Sequence, residues 1–201
     1  MSKRDPSFGP SALVTPANGL TLARLIAAPV LAVLTIAIGP TSWVLWSLWV
    51  VFSVSDSLDG YVARRHGTTR SGAFLDPLAD KFLVLGALSA LAALGTVGIL
   101  PVALIGGREL GMSGFRTWAG RRGISVPARP TAKIKTLVQD LAVGAAYWPV
   151  IGNAHRGVVA IVLWVAVGLT IVTGAEYFVD ARRLLRRAER TPGEVADSRA
   201  A

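Results

Sequence analysis

Long blocks of apolar residues are the feature of this sequence that most limits its fold. A hydrocarbon core requires about 20 mostly apolar residues to span it as an α-helix. Six such blocks, some shortened by polar residues at one end, follow one another at Leu20 to Gly39, Ser42 to Tyr61, Pro77 to Gly95, Val97 to Phe115, Leu137 to Ile151 and Gly157 to Phe178. With 52% hydrophobic and 16% charged residues, the 201-residue chain is too apolar for an ordinary soluble domain. The sequence therefore predicts an all-α, polytopic membrane protein with six transmembrane helices.

The six blocks leave no room for a second globular domain. We expect a cytoplasmic amino-terminal segment over residues 1–18 and one membrane domain over residues 19–180. A basic, partly disordered cytoplasmic tail is expected over residues 181–201, because that stretch is rich in Arg and poor in apolar residues.

The distribution of Lys and Arg predicts the orientation, since short loops rich in these residues stay in the cytoplasm. Six crossings put the loops near Gly39 to Thr41, Gly95 to Gly98 and Gly152 to Arg156 on one side. That side holds only Arg156 of the 21 Lys and Arg residues. Both termini are therefore expected in the cytoplasm, and the protein is expected in the plasma membrane. The net charge of +9 then faces anionic lipid headgroups rather than nucleic acid.

Four aspartates lie at the cytoplasmic ends of two neighbouring blocks. A carboxylate within a bilayer costs up to about 2.5–3.5 kcal/mol on insertion scales, so a buried one indicates function. Asp56 and Asp59 are three residues apart, and Asp76 and Asp80 are four residues apart. Each pair therefore shares one face of its helix. A short loop from Arg64 to Leu75 is expected to fold the two helices antiparallel and to turn the pairs toward each other.

Carboxylates so close together require a compensating cation, because like charges in a low dielectric repel. Oxygen ligands, in a chain without cysteine, favour a hard cation, with Mg²⁺ first and Mn²⁺ as the alternative. Two metals fit four carboxylates and would clamp the attacking and leaving oxygens of a phosphoryl displacement. The competing interpretation needs no metal and pairs the aspartates with Arg64, Arg65 and Arg70 at the membrane interface.

Small residues accompany the aspartates at intervals of one helical turn. Gly60 and Ala63 follow the first pair by one turn, and Gly72 precedes Asp76 by one turn. Such residues leave space for a nucleotide and its diphosphate. Close helix packing in membranes favours small residues as well, and it would explain any one of these positions taken alone.

Eight residues at these spacings resemble the signature of the CDP-alcohol phosphatidyltransferases: Asp56-x2-Asp59-Gly60-x2-Ala63-Arg64-x7-Gly72-x3-Asp76-x3-Asp80. The resemblance implies a six-helix membrane fold, usually a homodimer, with the active site facing the cytoplasm. It implies that Asp56, Asp59 and Asp76 bind metal, and that Asp80 helps to bind it and serves as general base. The residues implied to hold the CDP moiety are Gly60, Ala63, Arg64 and Gly72, together with Asn18.

Four further segments resemble the members of this family that use glycerol 3-phosphate as the acceptor: Pro16 to Arg24, Gly72 to Lys81, Gly107 to Leu110 and Lys133 to Gln139. The implied reaction transfers the phosphatidyl group of CDP-diacylglycerol to glycerol 3-phosphate and releases CMP. Asp80 would deprotonate the acceptor hydroxyl for a direct attack on the lipid-side phosphorus.

A small dianionic acceptor requires fixed positive charge beside the metal site, since charge-assisted bonds to phosphate are strong. The candidates at the cytoplasmic ends of the fourth and fifth blocks are Arg108, Arg116, Lys133 and Lys135. Arg108 is expected about two helical turns inside the membrane boundary, where it requires a partner, either Glu109 or an anionic ligand.

Two alternatives remain open at this point. The first is another acceptor, either inositol phosphate or, in cardiolipin synthesis, phosphatidylglycerol. Inositol phosphate also presents a phosphate, so the positive charges do not distinguish it from glycerol 3-phosphate, and the choice of acceptor rests on the resemblance. A cation transporter would use the same carboxylates, although nearer the bilayer centre and without a reason for Gly60, Ala63 and Gly72.

Overall fold

Helices dominate this computed structural model, which describes residues 16–66, 70–121 and 131–190. Short connections join the helices, and those residues contain no strand. In chain order they are α1 Pro16–Ile38, α2 Trp43–His66, α3 Arg70–Ala93, α4 Ile99–Arg121, α5 Thr131–Tyr147, α6 Pro149–Ala154 and α7 Arg156–Arg190. Side chains are described for residues 21–55, 78–120 and 133–179, and in the rest of the helices only the backbone is described.

The six apolar blocks fall on these helices. Five lie on α1, α2, α3, α4 and α7, and the remaining one is divided between α5 and α6. Within the described residues, two stretches are long and apolar enough to cross a membrane, Thr21–Ile38 and Arg156–Val179, and Trp43–Ser55 is a shorter apolar helix. The all-helical prediction is confirmed for the described residues, and the number of membrane crossings stays a prediction.

The connection between α2 and α3 is shorter than expected. The predicted loop from Arg64 to Leu75 is wrong, because α2 continues to His66 and α3 begins at Arg70. Apolarity marks the residues that meet lipid, whereas Arg and Ala favour helix in any surroundings. The helices therefore extend beyond their apolar blocks, and Gly72 and Asp76 lie on α3 rather than in or beside a loop.

The fifth block contains a helix break that apolarity did not reveal. α5 ends at Tyr147, four residues before the expected Ile151, and α6 begins at Pro149. Proline has no backbone N–H and disfavours helical geometry in the residue before it. Trp148 accordingly has an extended conformation, with φ −69° and ψ 118°.

The six long helices pack in a closed ring. The two most extensive interfaces join α1 to α3 and α5 to α7. α2 packs against both α1 and α5, and α4 packs against both α3 and α7. The order around the ring is therefore α1, α2, α5, α7, α4, α3, with α3 also contacting α5 across it. Leu31, Leu88, Ile105, Val143 and Leu163 are buried in the core that this ring encloses.

The outer surface of the bundle is apolar. Along α1, Leu22, Ile26, Val30 and Val33 recur at three- and four-residue spacing and are between 52% and 64% exposed. Buried charged and amide side chains include Arg24, Glu109, Lys135 and Gln139. An apolar surface around buried charge is typical of a protein that is surrounded by lipid.

One end of the bundle is joined by neutral hydrogen bonds. Thr41, between α1 and α2, donates from Oγ1 to Asn153 Oδ1 at 2.8 Å. The backbone N–H of Ser42 donates to the carbonyl oxygen of Tyr147 at 3.2 Å. The α1–α2 connection therefore lies beside α6, in agreement with the expectation that Gly39 to Thr41 and Gly152 to Arg156 share one side.

Candidate active site

The four aspartates lie on α2 and α3. Asp56 and Asp59 are in the second half of α2, and Asp76 and Asp80 are in the first half of α3. Because the backbone is helical at all four positions, the members of each pair share a helix face. The side chains of Asp56, Asp59 and Asp76 lie outside the described residues, so that the meeting of the two pairs stays a prediction.

The positions implied to hold CDP lie on the same two helices and on α1. Gly60, Ala63 and Arg64 are on α2, Gly72 is on the first turn of α3, and Asn18 is on the first turn of α1. Their backbone is helical, and their side chains are outside the described residues. Their role in binding CDP stays a prediction.

Asp80 is half-buried on α3, and Lys81 follows it directly. Lys81 Nζ donates to Ser113 Oγ on α4 and lies 4.0 Å from Glu109 Oε2. The Ser113 hydroxyl in turn donates to the carbonyl oxygen of Glu109 at 2.8 Å. A serine hydroxyl has one proton, so its oxygen is left as the acceptor for Lys81. These bonds join α3 to α4 next to Asp80.

Glu109 lies at the centre of a group that we call the ionic cluster, formed by Lys81, Arg108, Glu109 and Lys135. Glu109 Oε1 accepts from Arg108 Nη1 at 2.9 Å and also from Lys135 Nζ on α5. The side chains of Glu109 and Lys135 are 8% and 4% exposed. The partner expected for Arg108 is therefore Glu109, and the same carboxylate also holds α5.

Arg108 extends the ionic cluster to α7. Its Nη2 atom donates to Thr173 Oγ1 at 3.1 Å. A side chain on Gly174 would begin 3.6 Å from the Cγ and Nε atoms of Arg108, so the guanidinium group lies against the backbone of α7. The Nε atom of Arg108 is buried and has no hydrogen-bond partner in the part of the chain that the structure describes.

Arg116 and Lys133 lie outside the ionic cluster, and both are exposed. The guanidinium carbon of Arg116 is 5.8 Å from the centroid of the Tyr177 ring on α7. Of the four cations predicted to bind the acceptor phosphate, Arg108 and Lys135 thus meet at Glu109. Arg116 and Lys133 remain at the surface.

Three members of this network were not predicted from the sequence, namely Lys81, Ser113 and Thr173. Lys81 is half-buried, and it is a Lys within an apolar block, which by itself indicates a buried partner. Ser113 is four residues after Glu109 and so on the same face of α4. Thr173 lies 65 residues from Arg108 in sequence, and no local pattern indicates their contact.

Among the described side chains, the ionic cluster itself has three cations around one carboxylate, and the Asp80 carboxylate acts on Lys81 from beside it, so that positive charge still exceeds negative charge. In a low dielectric such an excess attracts an anion. Within the described side chains, no group of three or more His, Asp or Glu residues is arranged to hold a metal, and Asp80 is the one proposed ligand among them. Four carboxylates on two same-face pairs suit a hard cation by their donor chemistry.

Comparison with known proteins adds a family match. The family model described as CDP-alcohol phosphatidyltransferase matches residues 14–172, a range that contains the four aspartates and the ionic cluster.

Several curated proteins resemble this chain over most of its length. The probable phosphatidylglycerophosphate synthase of Mycobacterium tuberculosis is 38% identical over 172 residues, which cover 83% of this chain and 81% of its own. Proteins named CDP-diacylglycerol–glycerol-3-phosphate 3-phosphatidyltransferase are 36% identical in Rickettsia bellii and 34% identical in Bacillus subtilis. Each of these two matches covers 80% of this chain and 92% of the relative.

Proposed function

The chain belongs to the CDP-alcohol phosphatidyltransferase family, and on that premise we propose that it transfers the phosphatidyl group of CDP-diacylglycerol to sn-glycerol 3-phosphate. The products are phosphatidylglycerophosphate and CMP. The relatives named for this transfer align with four fifths of the chain. The structural observation that carries the proposal is the ionic cluster, which sets fixed positive charge beside the helix that bears Asp80.

Asp80 is the proposed general base. Its carboxylate takes the proton of the acceptor hydroxyl, and the oxygen so activated attacks the lipid-side phosphorus of CDP-diacylglycerol. The new P–O bond forms as the P–O bond to the nucleotide breaks, and CMP leaves with the electron pair of that bond. Alignment of the reacting atoms and neutralisation of charge on the phosphoryl oxygens supply most of the acceleration in such a displacement.

We propose that Asp56, Asp59, Asp76 and Asp80 hold Mg²⁺, with Mn²⁺ as the alternative. Enzymes of this family generally depend on a divalent metal. When bound, the metal would neutralise the diphosphate of the CDP-lipid. The helical backbone at both pairs supports this assignment, since it gives each pair the same-face spacing that a shared ion requires.

The CDP moiety is assigned to the space beside the aspartates. Gly60, Ala63 and Gly72 lie one helical turn from those aspartates and carry little or no side chain. Arg64 can engage a phosphate with two donors. Asn18 is assigned to the same pocket from α1.

The acceptor phosphate is assigned to Arg108, Arg116, Lys133 and Lys135. Two of these belong to the ionic cluster, whose positive excess would attract the dianion, and the exposed Arg116 and Lys133 would meet it at the cytoplasmic surface.

We further propose six membrane crossings in the plasma membrane, with the active site and both termini in the cytoplasm, and assembly as a homodimer. The bias of Lys and Arg supports the orientation, because one of 21 lies on the predicted outer side. The proposed contacts with anionic lipids follow from the same bias. A reporter fused after Gly95 would be external in this topology, and a cytoplasmic reporter there would overturn it.

The acceptor is tested with the purified protein, CDP-diacylglycerol and Mg²⁺, with each acceptor added in turn and the lipid product identified by mass. Glycerol 3-phosphate should give phosphatidylglycerophosphate, CMP should appear in equal amount, and EDTA should stop both. Product with inositol phosphate or phosphatidylglycerol alone would contradict the acceptor but not the enzyme class. CMP release that was absent with every acceptor would favour the cation transporter.

A further inference from the structure

Glu109 is a buried carboxylate to which the proposed reaction gives no role, although it joins cations from three helices. We propose that Glu109 is a positioning residue for the acceptor: it holds Arg108 and Lys135 where they meet the phosphate and ties them, through Lys81, to the helix that carries Asp80. This inference rests on the proposed function, because it takes the acceptor to be a phosphate monoester.

Glu109 Oε1 is the atom at which two of these cations meet. This one oxygen accepts from Arg108 Nη1 at 2.9 Å and from Lys135 Nζ. A carboxylate oxygen can accept two such bonds, and each fixes the direction of its donor. Lys has a flexible four-carbon stem, so the position of the Lys135 amine depends on this bond.

Glu109 also separates three positive charges. Lys81, Arg108 and Lys135 all lie within 4.0 Å of a Glu109 oxygen. Three cations that close together repel one another strongly in a low dielectric. Glu109 is the carboxylate that the structure shows between them, so its loss would drive the three side chains apart.

Lys81 links the proposed acceptor site to the proposed base. Lys81 directly follows Asp80 and reaches α4 through Ser113 Oγ and Glu109 Oε2. Ser113 is itself anchored to the backbone of Glu109 at 2.8 Å. The base-bearing segment of α3 and the cations of α4 and α5 therefore share one anchor.

The Glu109→Gln variant distinguishes positioning of the cations by Glu109 from a simple effect of net charge. If the cations acted only as a sum of charges, Glu109→Gln would add one unit of positive charge and tighten the binding of a phosphate. If Glu109 positions them, the same variant loses the arrangement and binds the phosphate more weakly. The two readings predict opposite signs for the change in the glycerol 3-phosphate KM.

The experiment measures KM and kcat for both substrates in the wild type, Glu109→Gln and Glu109→Asp. We expect Glu109→Gln to raise the glycerol 3-phosphate KM by about ten-fold or more, which is the loss of roughly one charge-assisted bond, while the CDP-diacylglycerol KM changes less than two-fold. Glu109→Asp keeps the charge but shortens the side chain by one methylene, and it should raise the same KM by a smaller factor. Arg156→Gln changes the charge by one unit at an exposed residue at the start of α7, far from Thr173, and should leave both KM values within two-fold.

An unchanged or lowered glycerol 3-phosphate KM in Glu109→Gln would overturn the inference, and so would an equal rise in both KM values. If Glu109→Gln did not fold, Glu109→Asp would decide, since an effect of charge alone leaves its KM unchanged. Failure of the proposed function is distinguishable, because the wild type itself would then make no product from glycerol 3-phosphate.

Discussion

Two regions of buried polar side chains in this bundle differ in charge. In the region toward α6, Tyr147 and Thr35 share a hydrogen bond of 2.9 Å, and the Thr35 hydroxyl donates to the carbonyl oxygen of Leu31 at 2.7 Å. These groups are neutral and satisfy one another, as polar residues between membrane helices commonly do. The ionic cluster instead gathers three cations around one carboxylate.

The two regions differ in their effect on the stability of the fold. A neutral hydrogen bond between helices contributes to stability by about 0.6 kcal/mol on average in a membrane. Buried charge is costly there, and an excess of one sign is more costly still. The neutral region therefore stabilises the fold, whereas the cost of the charged region supports its proposed role in binding the acceptor.

The largest effect that would test this contrast is at Asp80. Asp80→Asn keeps the shape of the side chain and removes the proposed base and a metal ligand, so kcat should fall by about 10²–10⁴-fold. CMP release measures the rate, and thermal unfolding should give a Tm close to that of the wild type. Full activity in this variant would remove Asp80 from the mechanism, and a large fall in Tm would place it among the stabilising residues.

A smaller effect, on stability alone, is expected at Gly152 in the neutral region. A methyl group there would lie 2.4 Å from the carbonyl oxygen of Ala146 and 2.5 Å from Thr41 Cγ2. Gly152→Ala should therefore destabilise the protein by about 1–3 kcal/mol, as overpacking does, with kcat of the folded protein unchanged. Gly157→Ala is the matched control, since nothing lies within 4 Å of its added methyl group. Equal Tm values for the two variants would contradict the packing at α6.

The smallest effect is expected from single hydroxyl groups. Tyr147→Phe removes the donor to Thr35 and should cost about 0.6 kcal/mol of unfolding free energy, the average for such a bond between membrane helices. Tyr177→Phe removes a buried hydroxyl that has no hydrogen-bond partner in the described part of the chain, so it should cost less. Denaturant titration of both variants compares them, and a larger loss in Tyr177→Phe would indicate that its hydroxyl has a partner.

The sequence predicted the helices better than their ends. Apolar blocks locate the helices because lipid contact and helix formation coincide there, yet α2 extends past its block to His66 and α3 begins at Arg70. Helix propensity, not apolarity, decides such ends. Pro149 is a sequence signal for the break after Tyr147, whereas the apolar residues around it favour one continuous helix.

The candidate site was predictable where its residues lie close together in sequence. The spacing of Asp76 and Asp80 and the adjacency of Arg108 and Glu109 are local, and the second pair forms the expected contact. The link from Lys135 to Glu109 spans 26 residues, and it depends on which faces of α4 and α5 meet. One sequence alone does not contain that information.

The ring order has a consequence for how the protein is made. α4 and α5 are synthesised before α7, yet α7 is the helix that packs against both, and its Thr173 receives a bond from Arg108. Arg108, Glu109 and Lys135 are therefore synthesised before the helix that completes their surroundings. The ionic cluster therefore stays open on one side until α7 packs against α4 and α5.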